Sequence, residues 1–342
     1  MKKIGLAVVG LGYWGSKLVQ VFKGIEAVDI RALCDQQAKI LEKVIRETQL
    51  NCPGSADLER LLTDDVQAVV VATPPAGHYE VVRAALKAGK HVFVEKPLAV
   101  STDQVEDLLS LAQQKKVLLF TDHTFCYDHT LQNVRQSVAT GALGKILHCR
   151  CEWLAARPKP LGPSVLWDSG PHALAALHYL LGVHQARVRM EALGRLPSEV
   201  LAAALGQVES DDWKADIVLG WEGQTLYGQP VPKVARVTLV GSHKTLVYEG
   251  SFAIRGVEIF DGTREPDFYF HLSPEARRQQ AHPYAGFMAQ DQPLQNACEA
   301  FINALQTGQP VITDGIFSAR VVHILEAAER SLSQQGAWQT LV

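Results

Sequence analysis

Short, nearly unbroken apolar runs alternate with amphipathic stretches through the first third of the chain. Ile4–Val9, Asp29–Cys34, Gln67–Ala72, His91–Val94 and Val117–Thr121 are such runs. Bounded by turn residues, they read as strands buried on both faces. Between them, 15–23, the polar stretch from Asp35 to about Gln49, Gly77 to Ala88 and 101–115 read as helices. Gly89 is placed as a C-terminal cap for the third helix, and Ser101-Thr102-Asp103-Gln104 is a capping box opening the fourth. This alternation predicts an α/β domain, a doubly wound parallel sheet of the Rossmann type.

After Asp122 the pattern changes. A helix is expected over 129–140, then a strand Ile146–Trp153, a Pro/Gly-rich stretch Arg157–Pro163 and a helix carrying Trp167-Asp168-Ser169-Gly170-Pro171-His172. From Gln185 to about Phe260 apolar and polar residues alternate, the signature of an antiparallel sheet with one covered face. Val234–Val240 and Lys244–Tyr248, joined by Gly241-Ser242-His243, form a hairpin pattern, and helices are expected at Pro293–Thr307 and Ile316–Gln334. The expected division is 1–122 and 123–342. More apolar surface is expected on the alternating sheet than one domain covers, which points to a homodimer or homotetramer built on it.

At 342 residues the chain is long for one core, in keeping with two domains. A net charge of −3 with evenly mixed signs gives nucleic-acid binding no support. No apolar run approaches a membrane span. Met1-Lys2-Lys3 before Ile4–Leu11 superficially resembles a signal peptide, but a glycine loop stands where a cleavage site would be, so the segment reads as the first strand. Cys34, Cys52, Cys126, Cys149, Cys151 and Cys298 contain no CxxC pair and read as buried thiols of a cytoplasmic protein.

The chemistry concentrates at strand ends. Gly10-Leu11-Gly12-Tyr13-Trp14-Gly15 follows the first strand and opens a helix, the arrangement that holds a pyrophosphate against a helix N-terminus. Tyr13 lines the cofactor or packs beneath the helix, and packing is favoured for Trp14. Asp35, at the end of the second strand, either accepts bonds from an adenosine ribose, favouring NAD with NADP possible, or caps the next helix. Glu95-Lys96-Pro97 ends another strand; there Lys96 stabilises a developing alkoxide rather than serving as a surface ion-pair partner. Asp168 and His172 stand four apart, so one helical face would carry both, and Pro171 sets them near a helix start. Such a histidine is a suitable general base and Asp168 its orienting acid; the bland reading is a capping Asp and a packed His. His123, Cys126, Asp128 and His129 match no familiar zinc spacing, so no metal is expected, and His123 and Tyr127 are read as substrate-facing. Arg157 and Lys159 bind an anionic substrate group or belong to a solvated loop.

Together these residues resemble the glucose–fructose oxidoreductase/inositol dehydrogenase (Gfo/Idh/MocA) family nearly end to end. The resemblance includes Ala72-Thr73-Pro74-Pro75 with His78, Ala88 through Pro97, Asp168 with His172, Val240-Gly241-Ser242 and the tail from Thr313-Asp314-Gly315 to Ser331. It implies a C-terminal α/β domain with a large open, mainly antiparallel sheet through which subunits assemble. It also implies Lys96, Asp168 and His172 as the catalytic set, with Thr73, Pro74, His78 and Glu95 beside the dinucleotide. Gly12-Tyr13-Trp14-Gly15, His123-Thr124-Phe125 and Leu166-Trp167-Asp168 most resemble the branch acting on nucleotide-linked amino sugars at C3, with Trp167 near substrate. Ala173 and Ala175 stand where many polyol-oxidising members carry acids, which disfavours a free cyclitol. The expected function is NAD(P)-dependent hydride transfer at a secondary alcohol or ketone of a sugar derivative. The alternatives are reduction of a non-sugar substrate and a non-catalytic dinucleotide-sensing regulator.

Overall fold

A strand with apolar side chains on both faces must be covered on both, and β1 (Ile4–Val9) is buried along all but its first residue. The computed structural model describes residues 3–156, 164–196, 198–222, 234–250, 254–260, 267–272 and 292–341. In it β1 lies inside a six-stranded parallel sheet with β2 (Val28–Cys34), β3 (Gly54–Ser55), β4 (Ala68–Val71), β5 (His91–Glu95) and β6 (Leu119–Asp122). The order is β3-β2-β1-β4-β5-β6. The order reverses between β1 and β4, and a sheet of this kind binds its ligand outside the carboxyl ends of the strands at such a point.

The connecting helices are α1 (Tyr13–Gly24), α2 (Ala38–Thr48), α3 (His78–Lys87) and α4 (Thr102–Lys115). Gly89 follows α3 with φ +71, the left-handed backbone expected of a glycine cap. Ser101 caps α4 by accepting from the Gln104 amide (3.3 Å), while Gln104 Oε1 accepts from the Val100 amide (3.2 Å). The capping box is therefore present, its return bond displaced one residue towards the N-terminus.

The chain divides into two compact units, Met1–Thr124 with Leu294–Val322, and Phe125–Pro293 with His323–Val342. A single cut at residue 122 therefore misses a returning segment. The reason is aromatic packing. Phe93 of β5 stacks on Phe120 of β6, and Phe301 of α8 (Pro293–Thr307) packs edge-on against Phe22, Phe93 and Phe120. Further along, the Thr313 hydroxyl donates to the Thr121 carbonyl (2.6 Å) and the Thr121 amide donates to the Thr313 carbonyl (3.0 Å). The outer edge of β6 is thereby covered by chain from the tail.

The second unit contains α5 (His129–Ala139), β7 (Ile146–Ala156), α6 (Val165–Asp168) and α7 (Gly170–Leu181), followed by strands β8 (Ala186–Arg195), β9 (Leu201–Glu209), β10 (Lys214–Glu222), β11 (Val234–Gly241), β12 (Thr245–Gly250), β13 (Ile254–Phe260) and β14 (Asp267–Leu272). The helix α9 (Gly315–Ser333) and β15 (Gln339–Leu341) end the described chain. The nine-stranded sheet has the order β14-β13-β12-β11-β7-β10-β9-β8-β15. Neighbours run antiparallel except β7 and β10, which are parallel. The hairpin is formed as expected, with Val240 opposite Thr245.

The covered face of this sheet carries Cys149, Cys151, Trp153, Ile217, Leu219, Val237, Leu239 and Tyr248, all buried. Its other face is mixed. Leu205, 39 % exposed, lies beside Val218, and Leu154 pairs with Val234. Polar partners run across the strands among them: Arg187 and Lys214 on Glu209 (2.6 and 3.1 Å), Gln207 and His148 on Asp216 (3.0 and 3.2 Å), and Arg236 on Glu249 (2.8 Å). Alternation fixes that one face is covered; cross-strand register sets charge pairs beside aliphatic side chains on the other. No helix among the described residues is long and apolar enough to cross a membrane.

Candidate active site

The first unit brings most of its predicted residues to the carboxyl ends of β1, β2, β4, β5 and β6. Gly10 has φ +83, and a Cβ there would meet the Ala72 carbonyl group and the Thr73 amide nitrogen at 2.7 Å. The loops after β1 and β4 thus touch at the point of strand reversal, and only glycine fits. A Cβ on Gly15 would collide with the Gly10 carbonyl, whereas one on Gly12 would meet nothing within 4 Å. Gly12 caps α1 without a side-chain acceptor, and the first turn holds no acid. Open space over Gly12 and uncapped amides with a positive helix end fit a dinucleotide pyrophosphate.

Asp35 stands directly after β2 and does not cap α2, whose N-cap is Gln37. Its Oδ2 accepts from the Leu11 amide (2.7 Å) and its Oδ1 from the Gln37 amide at the entrance to α2 (2.8 Å). The carboxylate braces the glycine loop and keeps lone pairs for ribose hydroxyls. Trp14 does not pack beneath α1: it is 38 % exposed and meets Tyr13 edge-on at 5.3 Å. Lys17 donates to the Tyr13 hydroxyl (2.8 Å) and lies over both rings, so the aromatic pair is held outward by a cation.

Buried His78 links the loops after β4 and β5, with Nδ1 2.7 Å from the Pro97 carbonyl and Nε2 2.8 Å from the Thr73 carbonyl. Burial pushes its pKa down, while the two carbonyl acceptors oppose this and nearby Lys96 adds to the lowering. The neutral ring donates to one carbonyl at a time. Lys96 follows β5 through a cis bond to buried Pro97. Beside it stand two buried carboxyls, Glu95 and Asp122, aligned as register partners on β5 and β6. Burial, with Asp122 nearby, raises Glu95 to about 8, partly offset by Lys96. Burial raises Asp122 to about 7, against the Thr124 hydroxyl bond (2.9 Å) and Lys96. His123, also buried, meets Phe317 edge-on at 5.7 Å.

In the second unit Asp168 and His172 do not share one helix. Asp168 ends α6, Ser169 interrupts, and α7 begins at Gly170 with Pro171 in its first turn. Proline in the first turn fits the expectation; the break comes because Ser164 caps a separate short helix by accepting from the Trp167 amide (3.4 Å). Asp168 is buried and its Oδ2 accepts from the Trp221 indole of β10 (2.9 Å). His172 lies edge-on to Phe125 at 5.3 Å, and Phe125 in turn meets Trp153 at 5.2 Å. Trp167 is 7 % exposed, its indole N–H donated to Glu329 (2.9 Å), so in this structure it is a packing residue. Tyr127 is 3 % exposed. Arg157 and Lys159 lie outside the described residues. Asp128 accepts from the Thr130 and Leu131 amides and from the Tyr248 hydroxyl, the work of a helix cap. Among the described residues no three His, Cys, Asp or Glu side chains are placed to hold a metal ion.

Three residues escaped the sequence reading. Asp122 and Thr124 were legible in principle, since Asp122 ends the strand after Glu95-Lys96 and an adjacent parallel strand brings it alongside. Trp221 was not, because only the pairing of β10 with β7 places it near a residue 53 positions away.

Comparison with known proteins agrees with this architecture. Residues 4–123 match the profile of an oxidoreductase family with an NAD-binding Rossmann fold, and residues 131–247 match the GFO/IDH/MocA C-terminal domain. A 2,7-anhydro-N-acetylneuraminate hydratase of Mediterraneibacter gnavus is 32% identical over 184 residues, 53% of this chain and 48% of that protein. The chain thus spans about half the length of that relative. UDP-N-acetylglucosamine 3-dehydrogenase of Acidithiobacillus ferrooxidans is 24% identical over 92% of this chain and 93% of its own. Its solved structure superposes with a TM-score of 0.81 at 20% identity, covering 98% of this chain and 99% of that one. An oxidoreductase from Agrobacterium radiobacter, solved with NAD+, L-tartaric acid and magnesium, gives a TM-score of 0.82 at 17% identity over 99% of each chain. With both domain profiles matched in order along it, the chain belongs to the GFO/IDH/MocA family of oxidoreductases and carries that family's NAD-binding Rossmann fold.

Proposed function

We propose that the protein transfers a hydride between a secondary alcohol or ketone of a sugar derivative and a nicotinamide dinucleotide, with a nucleotide-linked amino sugar as the favoured substrate. One observation carries the reading: a lysine, Lys96, stands at a strand's carboxyl end in the same unit as an uncapped glycine-loop helix. The bound dinucleotide supplies a hydride acceptor or donor at nicotinamide C4. Lys96 donates to the substrate oxygen and stabilises the negative charge left on it as the hydroxyl proton departs, a charge that is consumed when hydride leaves carbon and the carbonyl forms. His172 takes the hydroxyl proton, and Asp168, fixed by the Trp221 indole, sets the orientation of the base. Asp35 favours NAD over NADP by accepting ribose hydroxyls and repelling a 2′-phosphate. The substrate class is supported by the full-length relative named for UDP-N-acetylglucosamine. Assembly into a dimer or tetramer through the open face of the nine-stranded sheet, in the cytoplasm, completes the proposal.

The test is reduced-nicotinamide absorbance with NAD+ and a panel of UDP-, dTDP- and free sugars. Absorbance growth with a nucleotide sugar, lost in Lys96→Ala and His172→Ala, is the expected result. Binding of NAD+ by calorimetry without reduction by any member of the panel, and without oxidation of NADH by the matching ketones, would overturn it. General-base removal is expected to lower kcat on the order of 10²–10⁴-fold. His172→Ala is expected to leave NAD+ affinity within a few fold of the wild type.

A further inference from the structure

Two carboxyls that share a dry site with one cation cannot both ionise freely. Glu95 and Asp122 are register partners on neighbouring parallel strands, 9 % and 0 % exposed. Lys96 is the cation adjoining both. With both acids ionised the cluster would carry a net negative charge in a low-dielectric site; with one proton retained it is neutral. The hydrogen bonds fit partial neutralisation. Asp122 Oδ1 accepts from the Thr124 hydroxyl, whereas its Oδ2, fully buried, accepts no bond among the described residues. A carboxylate would leave that oxygen's charge unsolvated; a carboxyl proton removes the charge. The titratable neighbours include His78, whose pKa burial and Lys96 lower, buried His123 next to Asp122, and Cys298 on α8, a thiol whose pKa burial pushes up with Asp122, Glu95 and Glu299 adding to the rise. That thiol stays neutral and cannot supply the missing positive charge.

We propose that Glu95 and Asp122 hold one proton between them at neutral pH, and that Asp122 is a positioning residue that limits the negative charge the strand ends set against Lys96. The inference rests on the reading of Lys96 as the group facing the substrate oxygen. While one acid is protonated, the pair sets one negative charge against the ammonium. Once the second ionises, two negative charges draw the ammonium towards the strand ends and weaken its hold on a developing alkoxide. The direction agrees with burial raising both acids, to about 8 and about 7.

Infrared difference spectroscopy on the cofactor-free protein reads the shared proton directly and needs no substrate. A carboxylic-acid C=O band is expected to persist at about pH 7, where ordinary carboxyls have ionised, and to disappear on the alkaline side. It should be absent at that pH in Asp122→Asn and in Glu95→Gln. Thr124→Val, a milder change that removes a bond to the ionised form, should move its disappearance to higher pH, and so should Lys96→Met. Absence of the band in the wild type overturns the shared proton whatever the protein catalyses. Kinetics then test the positioning role with whichever sugar reduces NAD+. The alkaline fall in kcat of the wild type should be missing from Asp122→Asn, and a variant that keeps the wild-type alkaline limb overturns that role. A band that behaves as expected in a protein that oxidises no sugar would sink the function and leave the proton assignment standing.

Discussion

Asp35 spends one lone pair of each carboxylate oxygen on a backbone amide, of Leu11 and of Gln37. Its replacement therefore acts on the loop as well as on the ribose. Asp35→Ala is expected to weaken NAD+ binding and to narrow the gap between NAD+ and NADP+, both read by calorimetry; tighter NADP+ binding by the wild type would remove the basis of this assignment. Trp221 is the sharper structural case. Its indole is a donor to the buried Asp168 carboxylate, and hydrogen bonds to charged groups contribute about 1.5–3 kcal/mol. Trp221→Phe deletes the donor and leaves a smaller ring in a buried site, so a loss of unfolding free energy of at least about that size is expected from urea denaturation. An unchanged midpoint would mean that Asp168 is held by other partners. Motif and spacing single out Asp168, His172 and Lys96 as candidates, whereas Trp221 is invisible at this scale because sequence distance hides it.

Elements were legible where one rule decided them. The buried strands of the parallel sheet had to be apolar on both faces, and their runs in the sequence end within a few residues of the strands. Ser101 caps α4 as the capping-box pattern predicted, and Ser101→Ala is expected to cost about 1 kcal/mol in thermal or chemical unfolding. The glycine loop makes a stricter demand. A methyl group on Gly15 would run into the Gly10 carbonyl, so Gly15→Ala should displace the start of α1 and reduce NAD+ affinity in calorimetry. The helix around Asp168 was misread as continuous. Periodicity places residues 168 and 172 on one face, but a serine cap at 164 and proline at 171 favour a short helix followed by a second one over a single helix.

At the scale of the molecule, the buried acids make stability depend on pH. Their pKa values are raised in the folded state, so the fold holds protons that the unfolded chain has released above the ordinary carboxylate range. Stability from this pair is therefore greatest in acid and declines as pH rises from about 4 to about 8. Asp122→Asn should remove much of that decline, and its Tm relative to wild type should increase from pH ~5 to pH ~8. A constant difference would show that the pair is not coupled to folding. His78 works in the opposite sense: burial lowers its pKa, so its contribution is present above about 6.5 and is lost as pH falls below that value. Assembly is tested by light scattering at micromolar concentration. A dimer or tetramer is expected, and Glu209→Lys, which sets a third cation between Arg187 and Lys214, should shift it towards smaller species. A wild type of monomeric mass would exclude the sheet-to-sheet assembly.

By itself the sequence determined the local and periodic features. These are the parallel strands, the phosphate loop, the alternation of the second sheet and the chemical identity of the strand-end residues, because each follows from a short-range rule of burial, capping or backbone freedom. Tertiary structure alone decided which distant segments close on those elements. Phe301 and Thr313 return to the first unit because an aromatic cluster and a strand edge needed cover. Ion pairs share the open face of the second sheet with Leu205 and Val218, since cross-strand register determines which side chains meet. The environment of Lys96 belongs to the same class. Glu95 was visible beside it in sequence, but the pairing of β5 with β6 sets a second buried acid against it, and desolvation there makes two ordinary carboxyls compete for one proton.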